Sequence, residues 1–230
     1  MRQHIFNKID PPPNTRILEV GSGTGAILEW LLEIGYKNLT GVDIDTPSLA
    51  YSKSIFHPPR LVQADGYQLP FEQAAFGLSL CHYLLLWTDN PQAILQEMTR
   101  VTETGGWVLA LAEPDHQARV DYPPPLDALG THQTQALTEQ GIDVVMGRKL
   151  RSLFNYAGLK CVEVGILGAE WHSENQPPTD DTEWMMLMAD LENRLTPQAL
   201  AEFQEADQQA RAEGQRILFI PTFYAIGRVP

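Results

Sequence analysis

Apolar and polar positions alternate along this chain in two rhythms that take turns. RILEV (16–20) is a short apolar run of strand length, and after it Ala26, Ile27, Trp30, Leu31 and Ile34 recur at helical spacing, predicting a helix over 24–34 that stops at Gly35. LTGVD (39–43) predicts a second strand, and Thr46-Pro47 reads as the N-cap and first position of a short helix. RLVQAD (60–65), FGLSLC (76–81) and WVLALA (107–112) follow as strands, with a helix over 91–101 before the last. Residues 1–14 read as a short leader.

After Ala112 the rhythm changes. EPDHQARVDYPPP reads as a loop, and helices are predicted over 126–140 and 148–157. CVEVGIL (161–167) is a sixth strand, and ILFIPTFYAIG (217–227) a seventh whose Pro221 signals a bulge or an edge. Two more helices lie between them, over 180–192 and 197–213, the second with Thr196 at its N-cap, Pro197 at N1 and Gly214 as its stop. The Pro-rich spots at 11–13, 123–125 and 177–178 read as stiff turns. Strands alternating with helices imply an α/β protein with an open, mostly parallel sheet covered on both faces, whose ligand site lies at the carboxyl ends of the strands.

Composition adds limits to this picture. A chain of 230 residues that is 43% hydrophobic fits one domain with a sizeable core. The formal net charge of -13 is spread without a Lys/Arg block, which argues against nucleic acid and anionic membrane as partners and for a small or neutral substrate. Cys81 and Cys161 each sit in an apolar run, as buried thiols of a reducing compartment do, and no zinc-ligand spacing occurs. The absence of a signal-peptide core and of any apolar run of about 18 residues makes the cytoplasm the expected location and a membrane an unexpected partner.

The chemistry is concentrated in ILEVGSGTG (17–25). Gly21, Gly23 and Gly25 between a strand and a helix let a ligand approach the backbone closely. GSGTGA also satisfies the dinucleotide pattern G-x-G-x-x-G/A, with Asp43 about twenty residues further on. Glu19 tilts the choice, because a carboxylate beside the turn repels a pyrophosphate and favours a ligand carrying an ammonium and a sulfonium.

Four segments, in order, resemble the motifs of the class I S-adenosylmethionine-dependent methyltransferases: ILEVGSGTG, GVDID, QADGYQLPF and LQEMTRVTETGGWVLALAEPD. The nearest pattern is the small-molecule branch that includes ubiquinone and menaquinone methyltransferases. The resemblance implies a Rossmann-like seven-stranded sheet in the order 3-2-1-4-5-7-6 with the last strand antiparallel. It implies that Glu19, Gly21 and Gly23 hold the methionine end of S-adenosylmethionine, with Gly25 completing the turn. Asp43 would take the ribose hydroxyls, Ile44 the adenine face, Asp65 and Gly66 the adenine edge, and the backbone at Cys81 and His82 the methionine side. A carboxylate acceptor suits both hydroxyls and an exocyclic amine. The sequence departs from the family in Phe76-Gly77, where Phe-Asp is usual, and in the short leader, which leaves closure over the cofactor to His4, Phe6, the 113–147 segment or another subunit.

Methyl transfer from a sulfonium needs alignment and exclusion of water more than it needs a base. Where a base is used, His82 after the fourth strand and Glu113, Asp115 and His116 after the fifth are the candidates, His82 and His116 first. The segments 113–147 and 168–215 are expected to be insertions on the substrate side of a single domain spanning 1–230. Trp171, Trp184, Met185, Met186 and Met188 fall in the second; Trp184, Leu187, Met188 and Leu191 share a helical face that reads first as core. A sharper reading has Trp184, with Tyr83, Trp87 and Tyr122, lining an apolar acceptor pocket. The fourth-strand end, SLCHYLL, lacks the signatures of base-methylating branches. The expected activity is therefore S-adenosylmethionine-dependent methyl transfer to a small acceptor, a hydrophobic one included, at O, N or C, without a metal. The alternatives are a methyltransferase-like binding protein without turnover and an NAD(P)-dependent oxidoreductase.

Overall fold

The structure is a computed structural model that describes residues 2–55, 60–166, 168 and 181–230, with 181–183 described by their backbone alone. Trp171 and the 177–178 turn lie outside the described residues. The elements begin with α1 (Arg2–Ile9), β1 (Ile17–Val20), α2 (Ala26–Glu33), β2 (Leu39–Asp43), α3 (Thr46–Ile55), β3 (Leu61–Gln63), β4 (Phe76–Cys81), α4 (Pro91–Val101) and β5 (Thr102–Pro114). They continue with β6 (Val120–Tyr122), α5 (Leu126–Glu139), α6 (Met146–Tyr156), β7 (Lys160–Ile166), α7 (Asp181–Leu191), α8 (Pro197–Ala212), β8 (Ile217–Phe219) and β9 (Thr222–Arg228). Two 3-10 turns, Leu85–Trp87 and His116–Ala118, follow β4 and β5. No helix among the described residues is long and apolar enough to cross a membrane.

Seven strands form one sheet in the order β3-β2-β1-β4-β5-β9-β7, which in the numbering of its own strands is 3-2-1-4-5-7-6. β1 pairs in parallel with β2 and β4, β2 with β3, and β4 with β5, while β9 runs antiparallel to β7. Strands buried on both faces read as continuous apolar runs, and Ile17, Leu18, Val20, Leu78, Leu80 and Val108 through Leu111 are buried accordingly. The chain divides into two compact units, one of Met1–Glu113, Met146–Ile166 and Thr222–Pro230, the other of Pro114–Val145 and Leu167–Pro221. The first contains the sheet.

Three features differ from the sequence expectation. The leader is a helix: Ile5, Phe6 and Ile9 of α1 are buried, and Phe6 meets the ring of Trp30 edge-on at 4.9 Å and that of Tyr36 at 5.9 Å. Eight residues are too few for a helix to stand on its own propensity, so packing on α2 makes it one. Phe6 is thereby committed to the core rather than to closing over a ligand. Second, the 217–227 run is two strands, broken at Ile220-Pro221. Its first half pairs antiparallel with VDY of the expected loop, Val120 opposite Phe219 and Tyr122 opposite Ile217. Third, the side chain capping α3 is Asp45, whose Oδ2 accepts from the Ser48 N–H at 2.9 Å, rather than Thr46.

The second unit has its own core. Leu126, Leu129 and Ala136 of α5 pack with Trp184, Leu187 and Leu191 of α7 and with Leu200 and Ala210 of α8. Met185, Met186 and Met188 are exposed, so the buried face of α7 is narrower than the sequence suggested. Beside this core runs a chain of buried ion pairs. Arg119 pairs with Asp121, Arg216 reaches both Asp121 at 2.9 Å and Asp207 at 2.5 Å, and Arg211 meets Asp207 at 2.7 Å. Gln133 extends it, accepting from Arg119 and donating to Asp190.

Candidate cofactor site

The β1–α2 turn begins at Gly21, whose φ of 72° is left-handed and whose missing Cβ matters, since one built there would meet Leu84 Cδ1 at 2.7 Å. The turn is tied to its neighbour strand: the N–H groups of Gly21 and Ser22 both donate to the Val42 carbonyl, at 2.8 and 2.9 Å. The Gly23 N–H donates to Asp43 Oδ2 at 2.6 Å. The turn therefore offers a ligand close approach to its backbone rather than a set of free N–H donors. Asp43 Oδ1 accepts from the Asp45 N–H at 2.9 Å, so two backbone bonds set this carboxylate at the carboxyl end of β2.

A cavity of about 260 Å³ opens beside these groups. Val20 and Gly21 form its floor at β1, Val42, Asp43 and Ile44 one side, Ala64, Asp65, Gly66 and Tyr67 another, and Leu84, Trp87, Thr88 and Ile94 the rest. Asp65 is exposed, and its Oδ1 accepts from the Tyr67 N–H at 2.9 Å. Of the residues expected at the cofactor, Gly21, Asp43, Ile44, Asp65 and Gly66 meet here. Trp87, expected against the acceptor, lines the same cavity. Tyr67, Leu84, Thr88 and Ile94 were not singled out in the sequence; the Tyr inside QADGYQLPF was the available hint.

Glu19 directly precedes this floor. It is 2% exposed, and its Oε2 has no hydrogen-bond partner. Burial pushes its carboxyl well above the usual range, Arg2 and the Leu28 backbone N–H pull it back in part, and Asp43 adds to the rise. A buried carboxylate oxygen left without a donor is costly. Cys81 is fully buried at the end of β4, its thiol pushed up by burial, then by Glu113 and Glu19. His82 stacks edge-on with Tyr83 at 4.7 Å, and burial, then Arg2, holds its imidazole down at about 4. It is neutral near pH 7.

Glu113 is not a free base. Its Oε1 accepts from the N–H groups of Leu84 and Leu85, both at 3.0 Å, and its Oε2 from Leu86 at 3.2 Å. In the second unit, Asp115 caps the 3-10 turn by accepting from Ala118 N–H at 3.1 Å, and the His116 N–H donates to the Val144 carbonyl at 2.8 Å. His116 Nδ1 is buried without a partner, and burial, then Arg119, lowers the imidazole's pKa. His116 also borders a second cavity of about 520 Å³, whose wall includes Gln117, Arg119, Val120, Asp121, Asp127 and Thr134. Tyr122 and Tyr83 are exposed. Trp184 is 4% exposed in the core of the second unit, its indole N–H donating to Asp207 at 3.3 Å.

A seven-stranded sheet of this order, with a glycine turn after β1 and carboxylates after β2 and β3 facing one cavity, defines the Rossmann-like fold of the S-adenosylmethionine-dependent methyltransferases. Residues 18–110 match the model of the methyltransferase domain, a match over less than half of the chain. It is similar to the demethylmenaquinone methyltransferase of Corynebacterium urealyticum, 32% identical over 112 residues that cover 49% of this chain and 47% of that protein. It is also similar to the sterol 4-C-methyltransferase of Caenorhabditis elegans, 30% identical over 110 residues, 45% of this chain and 32% of the relative. The chain thus spans between a third and a half of these curated relatives. Among solved structures, the Haemonchus contortus phosphoethanolamine N-methyltransferase 2 in complex with S-adenosylmethionine matches 99% of this chain and 52% of its own, with a TM-score of 0.63 at 13% identity.

Proposed function

We propose that this protein binds S-adenosylmethionine in the cavity beside the glycine turn and transfers its methyl group to a small-molecule acceptor. The observation that carries this reading is the pairing of an orphaned, buried Glu19 oxygen with a cavity walled by Asp43 and Asp65. The residues fit the cofactor on chemical grounds. Glu19 is an acceptor that lacks a cation, Asp43 is pre-set to accept from hydroxyls, and Asp65 is an acceptor for an exocyclic amine beside the apolar Ile44 and Ile94. A pyrophosphate would face the carboxylates of Asp43 and Asp65 here, with Glu19 one residue behind the floor, which disfavours a dinucleotide.

When bound, S-adenosylmethionine supplies an electrophilic methyl group on a sulfonium. The chain's share is to hold, orient and keep water out: Gly21 allows close approach, Asp43 fixes one end, and Leu84, Trp87 and Thr88 form one wall. A neutral His82 is available as a hydrogen-bond acceptor, and its low pKa makes it a weak base. Calorimetry with S-adenosylmethionine and with NAD tests the proposal. Tight NAD binding with no response to the sulfonium ligand would sink it.

A second reading, binding without turnover, is favoured by one observation: at this end of the sheet Glu113 is fully engaged and His82 is held as a weak base. An acceptor screen that follows S-adenosylhomocysteine release separates the two, since a binding protein would release none with any acceptor.

A further inference from the structure

The turn after β4 holds a shape that its own residues do not favour. Tyr83 has a φ of 52°, in the left-handed region that a bulky side chain rarely adopts. It is kept there from both sides. Its N–H donates to the Ala112 carbonyl at 2.9 Å, and the next three N–H groups, of Leu84, Leu85 and Leu86, converge on the two oxygens of Glu113. These N–H groups open the 3-10 turn Leu85–Trp87 and have no acceptor within it, so a carboxylate at this end satisfies all of them at once.

Glu113 itself does not line the cavity, but the turn it holds does, through Leu84, Trp87 and Thr88. Leu84 is the most constrained of these, since its side chain packs so closely over Gly21 that the glycine has no room for a Cβ. We propose that Glu113 is the positioning residue of the cofactor cavity: its carboxylate fixes the turn over 83–88, and through Leu84, Trp87 and Thr88 it sets the affinity for S-adenosylmethionine. The proposal rests on the cofactor reading above.

The charge of this carboxylate is adjustable in the neutral range. Burial pushes its pKa up to about 7, against the pull of the Leu85, Leu84 and Leu86 N–H groups. The ionised form accepts from all three; protonation turns one oxygen into a donor and weakens the set. The titratable groups around it are few. Cys81 on β4 is pushed up by burial and so stays a thiol, and His82 in the same turn is already neutral. Glu19 on β1 is also raised by burial, and the Arg2 guanidinium of α1 acts on both Glu19 and His82. From α6, Gly147 packs against the Glu113 carbonyl and brings no charge.

The test pairs two readouts. Amide resonances of Leu84, Leu85 and Leu86 are followed by NMR from about pH 6 to about pH 8.5, and S-adenosylhomocysteine affinity is measured by calorimetry over the same range. The proposal expects the three amides to shift together with a midpoint near 7, and affinity to rise as the carboxylate ionises. In Glu113→Gln the amide transition vanishes, and affinity at high pH falls roughly tenfold, because the amide NH2 opposes the Leu86 N–H. Glu113→Asp, charged but one methylene shorter, recovers part of the affinity at high pH. A merely structural residue would lower the melting temperature without giving affinity this pH step. Amides that do not titrate, a step that survives Glu113→Gln but vanishes in Glu19→Gln, or wild-type affinity in Glu113→Gln would each overturn it. If the wild type binds no S-adenosylhomocysteine while the amides titrate as expected, the cofactor reading falls and the affinity claim with it, and Glu113 is shown to brace the turn alone.

Discussion

In the sheet unit, Glu19 and Glu113 are 2% and 0% exposed, and the donors that reach them are backbone N–H groups; in the second unit, the side chains of Asp121 and Asp207 are buried too and are met by Arg119, Arg211 and Arg216. The consequences are opposite. Burial raises the two glutamates, whereas for Asp207 the hydrogen bonds from Arg211 and Arg216 outweigh burial and lower its pKa. A buried charge with matched cations is settled within the fold. A buried carboxylate without one keeps a demand that a ligand or a change of pH can meet, and both of these stand next to the cavity of Asp43 and Asp65.

The largest effect should come from breaking the settled set. Arg216→Met removes the guanidinium that Asp121 and Asp207 share and leaves each with a single cation, Arg119 and Arg211, and the second unit should lose about 3 kcal/mol or more in urea unfolding. A loss under about 1 kcal/mol would place this network with surface pairs and dissolve the contrast.

Glu113 gives a similar magnitude with a pH signature. Its folded value, about 7, lies above its ordinary 4.5, so the folded state holds the proton more tightly. The resulting stability is full below pH 4.5 and is lost as pH rises through 7, a change of roughly 3 kcal/mol at about 1.4 kcal/mol per unit. Denaturant unfolding should show this decline in the wild type and its absence in Glu113→Gln. Asp43→Ala comes next: it removes a charged acceptor from the cavity wall and frees the Gly23 N–H, and S-adenosylmethionine affinity should fall by about 2 kcal/mol, roughly 30-fold, by calorimetry.

The smallest effect belongs to Trp184→Phe. It keeps the ring in the core beside Leu187 and Leu191 and deletes one donor to Asp207, so thermal unfolding should report a loss of about 1 kcal/mol with cofactor affinity unchanged. A drop in acceptor binding instead would return Trp184 to the pocket that its sequence neighbourhood suggested.

The sheet was legible because strands buried on both faces leave unbroken apolar runs, and the glycine turn because its left-handed backbone and close neighbours leave room only for a residue without a Cβ. What escaped were elements whose stability is borrowed. α1 needs Trp30 and Tyr36 to pack Phe6, and VDY becomes β6 only because Ile217–Phe219 lies opposite. The sequence reads Trp87 as a binding residue for the acceptor, and only the folded turn shows that it lines the cavity of Asp43 and Asp65, because a sequence cannot tell which wall a turn will face. The role of Glu113 was hidden for a related reason. Its partners are backbone groups of three leucines, and backbone donors have no signature in residue type.

By itself, then, the sequence determined the alternation of strands and helices over 16–112, the glycine turn and the carboxylates at the ends of β2 and β3, since each follows from local periodicity or from a residue's intrinsic conformational range. The tertiary structure alone decided which buried charges are matched and which are not. That depends on groups far apart in the chain, such as Arg216 with Asp121 and Glu113 with Leu84, whose meeting is fixed only when the chain has folded.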